Sequence, residues 1–245
     1  MAWIVFFPSL YGKAVPGLCF LSLSLISVKR RTSYPVMMEQ MDKKPNDTPP
    51  DGSKKKSPGK RGRPQGSKNR NRRDVELSPA LRFVQETITR FLQLIGDHVK
   101  VMYLVYDGAC GNNDALHMVK QTGVHVIAKL RHDSALYLPY DGPYSGRGKR
   151  KKYGKKLEYR NRPAEYWHSS SLEDCMQTKI YQMNVWHKTC ADLLNVVVMV
   201  KTNLKTQAIA HVVLFRSDLE LRYEQLIDYY HVRFQIACNF RDAKQ

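Results

Sequence analysis

The last residues of the chain carry the side chains whose types and spacing best suit chemistry. Tyr230, Arg233 and Lys244 follow one another in this segment, and Ala237 stands between the last two. From Leu219 onward apolar residues recur at steps of three and four, which predicts one amphipathic helix with one buried stripe. That stripe consists of Leu226, Ile227, Tyr230, Phe234, Ala237 and Cys238. Basic groups near a helix C-terminus suit its dipole, but in so basic a chain the set together favours contact with DNA phosphates.

A candidate acid, Asp107, directly follows the apolar run at residues 101–106. A short apolar run of this kind predicts a buried central strand. In an α/β sheet ligands gather at the carboxyl ends of the strands, so an acid at this point faces the expected site. The alternative is a plain turn, because Asp-Gly is also a common turn dipeptide.

The spacing Y-x2-R-x3-A-x6-K in residues 230–244 resembles the Y-x2-R-x3-E-x6-K signature of DDE-type insertion-sequence transposases, with Ala237 in the place of the glutamate. The resemblance implies a ribonuclease H-like fold and DNA contacts by Tyr230, Arg233 and Lys244. It also implies that Asp107 is the second of three catalytic acids and a metal ligand. The family reaction is the cleavage and transfer of DNA strands at element ends, with Mg²⁺ as the expected cofactor.

The other two acids of such a triad are missing. Two metal ions need several carboxylates between them, and Ala237 offers no ligand atom. The family's first aspartate lies on a strand before residues 11–17, and residues 1–10 contain no acid. We therefore expect a copy truncated at both ends and catalytically inactive. We also expect its first core strand to be lost or replaced by residues 1–7, which leaves the edge of a neighbouring strand exposed.

The formal net charge of +18 indicates a polyanionic partner. Two runs hold much of the excess: residues 54–73 contain ten Lys/Arg and no acid, and residues 147–156 contain seven. Such runs bind phosphates by releasing counterions, so a nucleic acid is the expected partner. The resemblance implies that this partner is the double-stranded DNA of transposon ends, with a homodimer on the DNA as a further expectation. Within the first run, the sequence R-G-R-P resembles the core of an AT-hook, which implies that Arg61 and Arg63 enter the minor groove. Nonspecific phosphate binding is the alternative.

The order of elements predicts an α/β protein whose mixed, ribonuclease H-like sheet has flanking helices and a mainly β insertion before the last helix. Residues 17–28, where large apolar residues alternate with serine, and residues 32–38 are predicted strands, and a helix begins at Ser78 and Pro79. Trp167 and Trp186 are expected in the core of the insertion, with base stacking as the alternative. The predicted segments are residues 1–42 (first strands), 43–76 (disordered basic linker), 77–131 (core with Asp107), 132–216 (β-rich basic insertion) and 217–245 (signature helix).

Several classes of protein fit the sequence less well. The five cysteines include no C-x2-C pair, so neither a zinc site nor a disulfide framework is expected. The apolar N-terminus is interrupted by Pro8, Lys13 and Pro16 and is too short to cross a bilayer. We therefore expect a cytoplasmic, nucleoid-associated protein with no membrane partner and no small-molecule substrate. The remaining alternatives are a basic nucleic-acid-binding protein without catalysis, an RNA-binding protein and a small membrane-anchored protein.

Overall fold

The computed structural model describes residues 2–5, 20–41, 71–106, 111–144, 146–159 and 163–242. These residues contribute eleven strands to a single mixed sheet, together with four α-helices. The strands are β1 (Ala2–Val5), β2 (Phe20–Ser27), β3 (Thr32–Gln40), β4 (Tyr103–Val105), β5 (His125–Leu130), β6 (Leu136–Pro139), β7 (Tyr153–Lys156), β8 (Trp167–Glu173), β9 (Met176–His187), β10 (Leu193–Asn203) and β11 (Ile209–Arg216). The helices are α1 (Pro79–Ile95), α2 (Asn113–Gln121), α3 (Tyr223–Val232) and α4 (Gln235–Asp242). The predicted α/β class and ribonuclease H-like mixed sheet are confirmed.

One half of the sheet has the order β3-β2-β1-β4-β5, with β1, β4 and β5 parallel and β2 antiparallel to both of its neighbours. Of the two expected alternatives, loss of the first strand is wrong and its replacement by residues 1–7 agrees with the structure, because β1 lies between β2 and β4 and pairs with both. Its sequence, AWIV, is apolar and ends in two β-branched residues, which suits a central strand. The edge that we expected to be exposed is therefore covered.

The other half continues directly from β5 through β11, β10, β9, β6 and β7, and β8 also pairs with β9. The long hairpins of β9, β10 and β11 agree with the strands predicted for residues 132–216. The antiparallel pairing of β11 with β5 joins them to the core sheet. The segment boundaries stay predictions, because a shared sheet by itself does not mark where one unit ends.

Helices cover both faces of the sheet. On one face α1 and α2 pack over Leu21, Leu104 and Val126, and on the other α3 and α4 pack over Val105 and Ile127. Neighbouring residues of one strand thus enter different cores, because side chains alternate across a sheet. The predicted start of α1 is confirmed: the Ser78 hydroxyl accepts a hydrogen bond from the Leu81 N–H at 3.3 Å, with Pro79 in the first turn.

The C-terminal helix differs from the single helix that the sequence predicts. Helix α3 ends at Val232 and α4 begins at Gln235, and the residues between them form tight turns in which Phe234 N–H donates to the His231 carbonyl at 3.2 Å. These three-residue steps rotate α4 relative to α3. The predicted stripe is therefore wrong beyond Tyr230: Phe234 is 60% exposed and Ala237 is exposed, while Val232 and Ile236 are buried.

Candidate functional site

The expected catalytic edge lies where the parallel strands β1, β4 and β5 end. Asp107 lies outside the described residues; it directly follows Tyr106 in the chain, whose side chain is buried and whose N–H donates to the Ile127 carbonyl at 2.9 Å. Strand β1 pairs Trp3 with Val105 and contains no acid. Within the described part of the chain, no group of three His, Cys, Asp or Glu side chains could hold a metal ion.

The third acid position, Ala237, lies on α4. This helix packs against β3, and the Asn239 side-chain amide donates to the Ser33 hydroxyl at 2.8 Å and to the Ser24 hydroxyl at 3.5 Å. The helix is therefore fixed over the sheet, but an alanine methyl group cannot bind a cation. The residues described here do not supply a donor set that fits a two-metal centre.

Two of the predicted DNA-contacting residues are next to each other. Tyr230 and Arg233 are 7% and 8% exposed, and the Arg233 guanidinium carbon lies 4.8 Å from the centre of the Tyr230 ring and 4.6 Å from that of Phe234. This stacked arrangement holds the end of α3 against the sheet. A DNA-binding role for these two side chains stays a prediction, and Lys244, Arg61 and Arg63 lie outside the described residues.

The two basic runs, by contrast, meet in the structure. Arg72, at the end of the first run, donates from Nη1 to the Tyr153 hydroxyl at 2.7 Å, and Tyr153 belongs to the second run. Asn113 at the start of α2 fixes this junction, because its Nδ2 donates to the Arg72 carbonyl and its Oδ1 accepts from the Ala191 N–H, both at 2.9 Å. Residues that are 81 positions apart in sequence thus form one basic surface.

Lys152 lies at the centre of this junction. Its Nζ is 3.4 Å from the centre of the Trp186 ring and donates to the Ala191 carbonyl at 3.0 Å. Burial is the main cause of a lowered pKa of Lys152; Tyr153 and Asp192 oppose the shift, and the nearby cations Arg72 and Arg73 add to it. A bound polyanion would reduce the electrostatic repulsion among the cations at this junction.

The tryptophans of the insertion differ in their surroundings. Trp186 is partly buried under Lys152, as expected for a packed residue. Trp167 is 51% exposed, so the expectation of core packing is wrong for this residue. It stands at the start of β8, a strand that pairs only with β9 among the described strands. Its exposed ring leaves base stacking available to it.

Cys190 is a buried thiol beside His187, with 3.5 Å between Sγ and Nδ1. Burial raises the pKa of Cys190 to about 11, and burial together with Arg72 lowers the pKa of His187. A thiol with so high a pKa stays protonated near neutral pH and is a poor nucleophile. The described cysteines, Cys175, Cys190 and Cys238, are all free, and the pair at 187–190 is structural.

A buried polar cluster under the start of α3 was not foreseen from the sequence. Arg216, at the end of β11, is 0% exposed, and its Nε donates to Asn195 Oδ1 at 3.2 Å. Gln182 Nε2 donates to the same Asn195 oxygen at 2.9 Å and to the Leu221 carbonyl at 3.1 Å. The two terminal nitrogens of Arg216 have no hydrogen-bond partner within the described part of the chain.

The charge of Arg216 is balanced only at a distance. Burial lowers the pKa of Arg216 to about 10, and Asp218 and Tyr103 partly oppose that shift. The Tyr103 hydroxyl donates to Asp218 Oδ2 at 2.6 Å. Burial alone would raise the pKa of Asp218, but this bond, the Glu220 N–H and Arg216 together lower it. The only sequence signal for the cluster was the arginine at the end of the apolar strand AHVVLFR. Because many strands end in a charged residue, this signal did not predict a buried arginine.

Comparison with known proteins identifies a family whose model matches most of the chain. A family model described as DDE superfamily endonuclease matches residues 5–192. The matched region ends just before β10, so it includes Asp107, α1, α2 and the basic junction but not α3 and α4. No curated protein matches the sequence at a significant level. None of the described helices has the length and apolar character needed to cross a membrane.

Proposed function

The chain belongs to the DDE superfamily endonucleases, and we propose that it is a transposase-derived protein of an insertion sequence that binds double-stranded DNA without cutting it. The family implies a nucleic-acid substrate and, in general, divalent metal ions. The proposal goes further in three respects: the partner is duplex DNA, the binding surface is the junction of the two basic runs, and strand cleavage is lost. The Y-R-E-K branch is part of the proposal, since residues 230–244 lie beyond the family match.

The observation that carries the DNA-binding proposal is the contact of Arg72 with Tyr153. It joins Arg72, in the described end of the first run, to residues 147–156 beside the start of α2, so that cations from both runs lie on one surface. Cationic side chains gain affinity when they can reach one polyanion together, because each phosphate contact releases counterions to bulk solvent. Arg61 and Arg63 would add minor-groove contacts to the same interface, and two chains on one DNA would suit a transposase.

The proposal that strand cleavage is lost rests on the missing catalytic carboxylates. Family members use divalent ions, and Mg²⁺ is the ion that an all-carboxylate site with DNA phosphates would favour. In this chain β1 has no acid and Ala237 has no ligand atom, so Asp107 is the one family acid that is present. When bound, the metal pair activates the attacking oxygen and stabilises the leaving one. A single carboxylate cannot hold that pair, so no cleavage step is assigned.

DNA binding can be tested by the salt dependence of affinity. With roughly six to ten phosphate contacts, the affinity should fall by about 10³- to 10⁵-fold between 50 and 200 mM salt. Replacement of Lys149, Arg150 and Lys151 by Gln should flatten that dependence. A matched variant with Lys129, Arg131 and Arg222 replaced by Gln removes the same charge elsewhere and should leave it nearly unchanged.

If both triple variants behave alike, the interface is not at the junction. If duplex RNA competes better than duplex DNA, the RNA-binding alternative replaces the proposal. Loss of cleavage is tested separately by nicking of a supercoiled plasmid carrying the element ends in Mg²⁺ or Mn²⁺. Neither the unmodified chain nor the Ala237→Glu variant should nick above background, and robust nicking that Asp107→Asn abolishes would show that an unforeseen acid completes the site.

A further inference from the structure

A cleft of about 710 Å³ runs beside α2. One wall is the face of α2 that carries Asn113, His117 and Lys120; the opposite wall is formed by residues 191–194, and residues 72 and 73 close one side. His125, at the start of β5, also lines it. We call this feature the α2 cleft. It lies next to the basic junction, because Asn113 contacts both Arg72 and Ala191.

The rim of the α2 cleft is cationic and its floor is apolar. Three fixed cations, Arg72, Arg73 and Lys120, face one fixed anion, Asp192, which leaves a net charge of +2 with the histidines neutral. The floor includes Leu116, Val124 and Leu194. The guanidinium of Arg73 is exposed and forms no hydrogen bond or ion pair with any described residue. A free cation above an apolar floor suits a ligand with a charged edge and a less polar body.

Asp192 competes for the cations of the rim. Its Oδ2 accepts a hydrogen bond from Lys120 Nζ at 2.7 Å, and both side chains are more than half exposed. An exposed ion pair of this kind is worth at most about 1 kcal/mol, so a phosphate can displace the carboxylate. Lys120 is then a cation held in place for an incoming anion, and Asp192 lowers the affinity for that anion.

We infer that the α2 cleft binds the phosphodiester backbone of DNA, with Arg73 and Lys120 as the phosphate contacts and Asp192 as an internal competitor. The inference rests on the proposed function, since it extends the DNA path from the basic junction along α2. It adds what that proposal lacks, namely a folded site beside the basic junction and a residue whose removal strengthens binding. His117 and His125 lie along the same path and offer ring nitrogens to the backbone.

The test is fluorescence anisotropy of labelled DNA, with duplex and single-stranded oligonucleotides in separate arms. Arg73→Gln should weaken binding by about five- to tenfold near 0.1 M salt and lower the salt slope by about one, as expected for the loss of one phosphate contact. Asp192→Asn should tighten binding by about two- to fivefold, because it frees Lys120. The controls are Arg222→Gln and Asp133→Asn, which remove an exposed arginine and an ion-paired aspartate that do not line the cleft.

The outcomes separate the two proposals. If the unmodified chain binds neither form of DNA, the proposed function fails. If it binds DNA but Arg73→Gln and Asp192→Asn behave as their controls do, the inference about the α2 cleft is overturned while DNA binding stands. Misfolding cannot explain the gain in affinity expected for Asp192→Asn, since a misfolded protein loses affinity for DNA. A response confined to the single-stranded arm or to the duplex arm identifies the form of backbone that the cleft accepts.

Discussion

Replacement of the buried Arg216 by Met should stabilise the protein. Arg216 is 0% exposed, and burial lowers its pKa from 12.5 to about 10. A shift of this size corresponds to about 3 kcal/mol against the charged form in the folded state. The two terminal nitrogens add to the cost, because buried donors without partners lose their hydration. Methionine keeps the apolar stem of the side chain and removes the charge.

The stabilising interactions that Arg216→Met removes are weak. The hydrogen bond from Arg216 to Asn195 contributes about 1 kcal/mol, and Asn195 Oδ1 still accepts from Gln182 after the substitution. Asp218 loses a cationic neighbour but keeps its bond from Tyr103. The expected net gain is therefore about 1–2 kcal/mol in the free energy of unfolding, or a rise of about 2 to 8 °C in Tm for a chain of this length. Replacements of buried ionic groups by apolar ones are often stabilising for the same reason.

The measurement is urea unfolding followed by circular dichroism, supported by thermal melts. Arg216→Ala serves as the matched control: it removes the same charge but leaves a cavity, so it should be less stable than Arg216→Met by about 2 kcal/mol or more. Arg216→Lys keeps a buried charge and should also fall below the methionine variant. If Arg216→Met unfolds more easily than the unmodified chain by more than about 1 kcal/mol, the terminal nitrogens are satisfied by a bound ion or water, and the reasoning is refuted.

Three further predictions concern other parts of the molecule. Burial raises the pKa of Cys190 from 9.0 to about 11, so the stability that the protonated thiol contributes is complete below about pH 9 and is lost as the pH rises through 11. Cys190→Ala should therefore flatten the fall in the free energy of unfolding between pH 9 and pH 11. An unchanged pH profile would contradict this prediction. Asn113→Ala removes the two side-chain bonds by which Asn113 holds the basic junction and should raise the protease sensitivity of residues 71–73; the control is Gln121→Ala, which removes side-chain bonds at the other end of α2. The double variant Val5→Asp/Ala237→Glu should be the minimum that restores metal-dependent nicking. Strand β1 pairs Trp3 with Val105, and Val5 and Asp107 each follow these paired residues by two positions in the sequence. Nicking by Ala237→Glu alone would show that no first acid is needed.

Much of the fold could be read from local patterns. The alternation in residues 20–27 and the Ser78–Pro79 start of α1 are signals that act over a few residues, and both are found where they were expected. The basic runs and the acid after β4 were visible for the same reason. Charge and periodicity are properties of the sequence itself, and they suffice to predict an α/β protein with a polyanionic partner.

Other features were decided only by tertiary structure. The place of β1 between β2 and β4 depends on pairings with residues about 20 and about 100 positions away. The break between α3 and α4 reflects packing of α4 on β3, which overrides a continuous helical period. The contact of Arg72 with Tyr153 and the burial of Arg216 likewise join distant segments. Local propensity fixes which elements form, but their partners are chosen by how apolar faces and hydrogen-bonding edges can be satisfied together, and that depends on the whole chain.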